Sequence, residues 1–312
     1  MKILISDKSH KSCAEKFREA GFEVDEKPGL SHEERLALIK DYHGLVIRSA
    51  TRVTADLLEA AENLRVVGRA GTGLDNVDVA AATAKGVVVM NTPGQNSNAA
   101  AELTVAMIFA LSRQLFRACE SLKACRWEKK ALQGREVMGK TLGVVGYGAI
   151  GRLVGELGRG IKMNVLGYDP FLTPEQIKKL GAEPVSFEDL LARADFVTIH
   201  VPKTAETTRL FNAATIGRMK DGAYLINCAR GGLVDEDALF DALTSGKLAG
   251  AALDVFETEP PGEHKLLGLD NFLCTPHLGA STYEAQINVG LAVADQMIKY
   301  LTDGVAINAV NA

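Results

Sequence analysis

Short apolar runs alternate with segments of helical periodicity along most of the chain. In the first 94 residues the runs fall at 2–6, 44–48, 64–68 and 87–91, and each predicts a buried strand. Between them, residues 10–20, 55–61 and 76–85 show helical spacing, and Ser31-His-Glu-Glu34 is a capping-box signature for a further helix. Gly21 and Gly86 stand where two of these helices should stop, and Thr54 where a third should be capped. Residues 97–123 read as one long, mostly apolar helix, followed by a polar excursion over 125–140. The alternation then resumes. Strands are predicted at 141–145, 162–168, 195–200, 222–227, 248–255 and 272–275. Helices are predicted at 174–180, 187–192, 235–245 and 281–303. Strands alternating with helices imply βαβ units and mainly parallel sheets.

The run at 141–145 leads directly into Gly146-Tyr-Gly148-Ala149-Ile150-Gly151, which fits G-x-G-x-x-G and opens a helical segment. The first glycine permits a tight turn, the second lets a pyrophosphate approach the backbone, and the third lets helix and strand pack closely. The helix N-terminus offers free N–H groups and the positive end of its dipole. The next predicted strand ends at Asp169, the acid expected about 20 residues on to bond the ribose hydroxyls of NAD. This pair of features predicts a Rossmann domain over residues 95–280, inserted into a first α/β domain made of 1–94 and 281–312. The expected architecture is therefore two Rossmann-like or flavodoxin-like parallel-sheet domains with a cleft between them. The first would bind substrate and the second NAD.

Composition narrows the function classes. A net charge of −4 argues against nucleic acid and acidic membranes as partners. No 18-residue uncharged apolar stretch exists, and the N-terminus lacks signal-peptide architecture. The five cysteines are odd in number and scattered, so neither a disulfide framework nor a metal site is expected, and the cytoplasm is the expected compartment. No G-x-S-x-G, H-E-x-x-H or Walker A motif is present.

Three stretches after the cofactor motif carry candidate chemistry. Arg230, within Asn227-Cys-Ala-Arg-Gly-Gly232 at a strand end, can pair with a carboxylate and polarise a carbonyl, although an Arg in a loop is often only a surface residue. The acidic segment Asp254-Val-Phe-Glu257-Thr-Glu259 offers three carboxylates, any of which can orient a histidine or simply be solvated. His277, between a strand end and Gly279, is the candidate acid–base group. His10, His32, His43 and His264 lie in polar surroundings that read as surface, and His200 can line the cofactor site without doing chemistry.

These ordered motifs, together with Val46-Ile-Arg48-Ser-Ala-Thr51, Gly68-Arg69-Ala-Gly71-Thr72 and Pro276-His277-Leu-Gly-Ala-Ser281, span nearly the whole chain. In them the sequence resembles the NAD-dependent D-2-hydroxyacid dehydrogenases. The resemblance implies hydride transfer between NAD and an anionic 2-hydroxy acid, with Arg230, Glu259 and His277 as catalytic residues. It implies cofactor contacts at Thr72, Gly146, Gly148, Ala149, Ile150, Gly151, Asp169, Val201, Cys228, Arg230, Asp254, His277 and Gly279. Substrate contacts would come from Arg48, Arg69, Gly71, Arg230 and His277. Arg48 and Arg69 suit a phosphorylated acid. Ala149 departs from the basic residue that many members carry in the loop. A glyoxylate or hydroxypyruvate reductase and an NAD-sensing, corepressor-like binding protein are the other readings this scaffold allows. The resemblance also implies a homodimer through the cofactor domain, or a homotetramer. The sequence stops at Ala312, where longer members continue into regulatory domains, so feedback inhibition through such a domain is not expected.

Overall fold

A computed structural model describes residues 1–312. The chain divides into two compact units, one of Met1–Asn96 with Ala280–Ala312, the other of Ser97–Gly279.

The first unit is built from β1 (Lys2–Ile5), α1 (Lys11–Glu19), β2 (Glu23–Glu26), α2 (His32–Leu38), β3 (Gly44–Ile47), α3 (Ala55–Ala60), β4 (Val66–Arg69), α4 (Val79–Ala84) and β5 (Val88–Asn91). Its five strands are all parallel, in the order β2-β1-β3-β4-β5. The two-residue period of the strands sends alternate side chains to opposite faces. Ile3 and Ile5 join Phe17, Val293 and Met297 under α1 and the C-terminal helix Tyr283–Asp303. Leu4 joins Leu45, Leu57 and Val67 under α2–α4. Neither face of the inner strands is left to water, which is why β3 and most of β1, β4 and β5 are apolar, whereas the edge strand β2 (Glu-Val-Asp-Glu) is polar and partly exposed.

The second unit runs through α5 (Ser97–Ser112), α6 (Leu115–Lys123), β6 (Thr141–Val145), α7 (Ala149–Gly160), β7 (Asn164–Tyr168), α8 (Pro174–Lys179), β8 (Glu183–Pro184), α9 (Phe187–Arg193), β9 (Phe196–Ile199), α10 (Ala213–Arg218), β10 (Ala223–Asn227), α11 (Glu236–Thr244), β11 (Leu248–Leu253) and β12 (Phe272–Cys274). Seven parallel strands lie in the order β12-β11-β10-β9-β6-β7-β8. The chain starts in the middle at β6, builds outward to β8, then returns to β9 on the other side of β6. The order reverses between β6 and β9, the place where open α/β sheets bind ligands beyond the carboxyl ends of their strands.

Several expectations need correction. The apolar stretch 97–123 is two helices bent by 63°, not one. Gln114 takes the left-handed conformation (φ 50°). The carbonyl of Ser112, which a continuing helix would use, accepts the N–H of Arg135 at 2.7 Å instead. The helix expected from residue 76 begins at Val79, because Asp78 caps it and the Asn76 amide is committed to the Arg48 and Thr51 carbonyls. Thr54 holds the cap position of α3, but its hydroxyl makes no cap bond. The edge strands β2 and β8 and helix α10 were not predicted by periodicity. No single helix is long and apolar enough to cross a membrane.

Candidate active site

Every candidate residue of the second unit lies just past the carboxyl end of a strand, in the loop it leads into, or in the first turn of the helix that follows. The glycine loop follows β6, Asp169 follows β7, His200 and Val201 follow β9, Cys228 and Arg230 follow β10, Asp254 and Glu259 follow β11, and His277 follows β12.

The glycine loop has the shape its sequence requires. Gly146 is left-handed (φ 89°), and a Cβ there would sit 2.6 Å from the His200 carbonyl oxygen. A Cβ on Gly151 would collide with the Gly146 carbonyl oxygen. Gly148, the N-cap of α7, faces open space where its Cβ would be, and no side chain caps the helix. The first N–H groups of α7 are therefore available to an anion. Asp169 accepts the N–H of Tyr147 at 2.8 Å with one carboxylate oxygen and that of Phe171 at 2.9 Å with the other. Both ring nitrogens of His200 are buried without a partner, and burial pushes this imidazole down to about 3, so it is neutral. An open cradle at Gly148, an uncapped helix and an unpartnered imidazole beside them fit a dinucleotide.

The second cluster is built on two buried polar residues. Asn227, at the end of β10, accepts the Ala229 N–H and donates to the Arg230 carbonyl, shaping the turn that presents Arg230. Cys228 in the same turn points inward, its Sγ 3.4 Å from the Met107 sulfur. Burial pushes its thiol up to about 12, so it is no nucleophile. Asp254 shapes the loop that carries His277. Its carboxylate accepts the N–H groups of Leu278 and Gly279 and the Thr275 hydroxyl, and its carbonyl accepts the N–H of His277. His277 itself is left-handed (φ 55°) and its side chain is 48% exposed.

Of the three carboxylates in the acidic segment, Asp254 is used in that loop and Glu257 turns to Arg209 at 3.5 Å. Glu259 reaches His277, with Oε2 2.8 Å from Nδ1. With Nδ1–H donating to Glu259, the lone pair of Nε2 is left for a substrate proton. One residue read as surface belongs near this site. His264 is 20% exposed and bonds Glu236 at 3.0 Å. Neither residue stands in a recognisable motif.

In the first unit, Arg48 and Arg69 come from neighbouring strand ends, since β3 pairs Ile47 with Arg69. The buried Asp7 accepts the N–H groups of Arg48, Ala50 and Thr51, and Arg48 donates to the Lys8 carbonyl. Gly71, with φ 146°, accepts the Thr92 N–H, and Thr72 bonds Asn96.

The doubly wound domain with this glycine loop and Asp169 has the layout of a dinucleotide-binding domain, and it carries a histidine–carboxylate pair at the same sheet edge. The chain belongs to the D-isomer specific 2-hydroxyacid dehydrogenases: the model of the family's NAD binding domain matches residues 105–279. It is 48% identical over 311 residues to the D-3-phosphoglycerate dehydrogenase of Homo sapiens, covering 100% of this chain and 58% of that protein. The chain thus spans somewhat over half the length of that relative. Among solved structures, it resembles the NAD+-bound 3-phosphoglycerate dehydrogenase of Entamoeba histolytica (TM-score 0.85, 31% identity, 100% of this chain and 99% of that one). It also resembles a glyoxylate reductase of Paecilomyes thermophila (TM-score 0.90, 30% identity, 99% and 98%).

Proposed function

We propose that this chain oxidises 3-phospho-D-glycerate to 3-phosphooxypyruvate with NAD, the entry step of serine synthesis. The 48% identity to a D-3-phosphoglycerate dehydrogenase along the whole chain carries the choice of substrate. The His277–Glu259 bond of 2.8 Å carries the choice of chemistry.

In this reading the first unit is the substrate domain and Ser97–Gly279 the cofactor domain. Arg230 binds the substrate carboxylate and polarises the C2 oxygen. His277 takes the hydroxyl proton on Nε2 as the C2–H bond breaks, and Glu259 stabilises the imidazolium that forms. NAD supplies the hydride acceptor. The open backbone around Gly148 and the N-terminus of α7 hold the pyrophosphate, and Asp169 bonds the ribose. Arg48 and Arg69 bind the substrate phosphate. Steady-state assays with phosphoglycerate, glycerate, lactate and hydroxypyruvate test the assignment. The expected result is the highest kcat/KM for phosphoglycerate. A preference for an unphosphorylated acid would contradict it and favour the reductase reading.

The same reading includes a homodimer formed through the cofactor domain. Leu115, Leu122, Met138 and Trp127, the last 81% exposed, give α6 and the following loop an apolar surface suited to an isologous contact. Light scattering at micromolar concentration should give the mass of two chains. The five unpaired thiols suit a reducing cytoplasm.

A further inference from the structure

Glu236 is the first residue of α11, yet its side chain is not the cap of that helix. Asp235 provides the cap, accepting the N–H groups of Asp237 and Ala238. The Glu236 carboxylate instead turns toward the loop beyond β11. Oε1 accepts the N–H of Glu257 at 2.7 Å, and Oε2 lies 3.0 Å from Nε2 of His264. Glu236 is 13% exposed, so water competes little for either bond.

His264 is held as firmly. Its Nδ1 accepts the N–H of Leu266 at 3.3 Å, which puts the proton of the neutral ring on Nε2, facing Glu236. The ring meets the edge of Phe256 with centroids 5.9 Å apart. Phe256 and Glu257 therefore send consecutive N–H groups to two different carboxylates. That of Glu257 goes to Glu236, and that of Phe256 goes to Oε1 of Glu259 at 3.1 Å. The carbonyl between them packs against Gly231, where a Cβ would collide with it. The peptide is gripped on both sides, and the turn that delivers Glu259 to His277 starts from it. Arg209 meanwhile draws the Glu257 carboxylate aside.

We propose that Glu236 and His264 are positioning residues for the acid–base pair: they fix the Phe256–Glu257 peptide, which sets Glu259 against His277 and so aims Nε2. This rests on the reading of His277 and Glu259 as the acid–base pair. Misplacing a reacting group by about 1 Å costs on the order of 100-fold. Glu236→Ala should therefore lower kcat about 10- to 100-fold while NADH affinity, measured by fluorescence titration, stays unchanged. His264→Ala leaves α11 intact and should give a smaller loss in the same direction. His264→Gln, whose amide can both accept from Leu266 and donate to Glu236, should restore most of the rate.

The deciding comparison places Glu236→Ala in a Glu259→Gln background. If Glu236 acts through Glu259, the second substitution adds less than about a twofold loss. Multiplicative losses, or an unchanged kcat in Glu236→Ala, would overturn the proposal. Full turnover by Glu259→Gln alone would instead remove the acid–base reading beneath it.

Discussion

The Asp169 carboxylate accepts the N–H of Tyr147, the residue between the first two glycines of the cofactor loop, at 2.8 Å. If Asp169 bonds the ribose as proposed, these bonds tie it to the turn proposed to cradle the pyrophosphate and hold it against swinging away to admit a 2′-phosphate. Like charges forced together without solvent cost several kcal/mol. NAD should therefore be used with at least about tenfold higher kcat/KM than NADP, equivalent to about 1.4 kcal/mol. Asp169→Ser should narrow the gap. Equal efficiency with both cofactors in the unsubstituted protein would contradict this account of Asp169.

Two glycines of the loop make separable predictions. At Gly148 a Cβ meets no protein atom, and φ is −74°, open to any residue. At Gly151 a Cβ strikes the Gly146 carbonyl. Gly148→Ala should leave the melting temperature of the ligand-free protein unchanged or slightly raised, while weakening NADH binding. Gly151→Ala should lower both, with a stability loss of about 1–3 kcal/mol, typical of overpacking. Thermal melts with and without NADH check the pair. Equal destabilisation by both substitutions would show that Gly148 serves the fold rather than a ligand.

His200 predicts a pH effect. The imidazole of the unfolded chain takes up a proton below about 6.5, whereas in the folded protein burial holds it neutral down to about 3. Between these values the unfolded state binds more protons, so stability falls as the pH falls, by up to about 1.4 kcal/mol per pH unit. His200→Phe replaces two unpartnered ring nitrogens with carbon. Its urea midpoint at pH 7 should be no lower, and its decline between pH 6.5 and 4.5 should be shallower. Parallel declines in the two proteins would show that His200 is not the titrating group.

Periodicity made the parallel strands legible because most are buried on both faces and read as unbroken apolar runs. It missed β2, whose Glu-Val-Asp-Glu sequence lies at a sheet edge, half in water. It ran α5 and α6 together because hydropathy does not register that a distant N–H, that of Arg135, takes the carbonyl of Ser112. Strand ends and glycine spacing singled out the loops of the site. They could not choose among Asp254, Glu257 and Glu259, three acids within six residues, of which Asp254 and Glu259 bond the distant loop after β12 and Glu257 bonds Arg209. His264 reads as surface from its polar neighbours, because its partner Glu236 lies 28 positions upstream on another element.

In the proposed reaction His277, oriented by Glu259, moves the substrate proton. His277→Ala tests it most directly when turnover and NADH affinity are measured on the same preparation. Removing a general base typically costs on the order of 10²–10⁴ in rate. In His277→Ala, kcat should fall by that much with NADH affinity little changed. Turnover at the unsubstituted rate would contradict it.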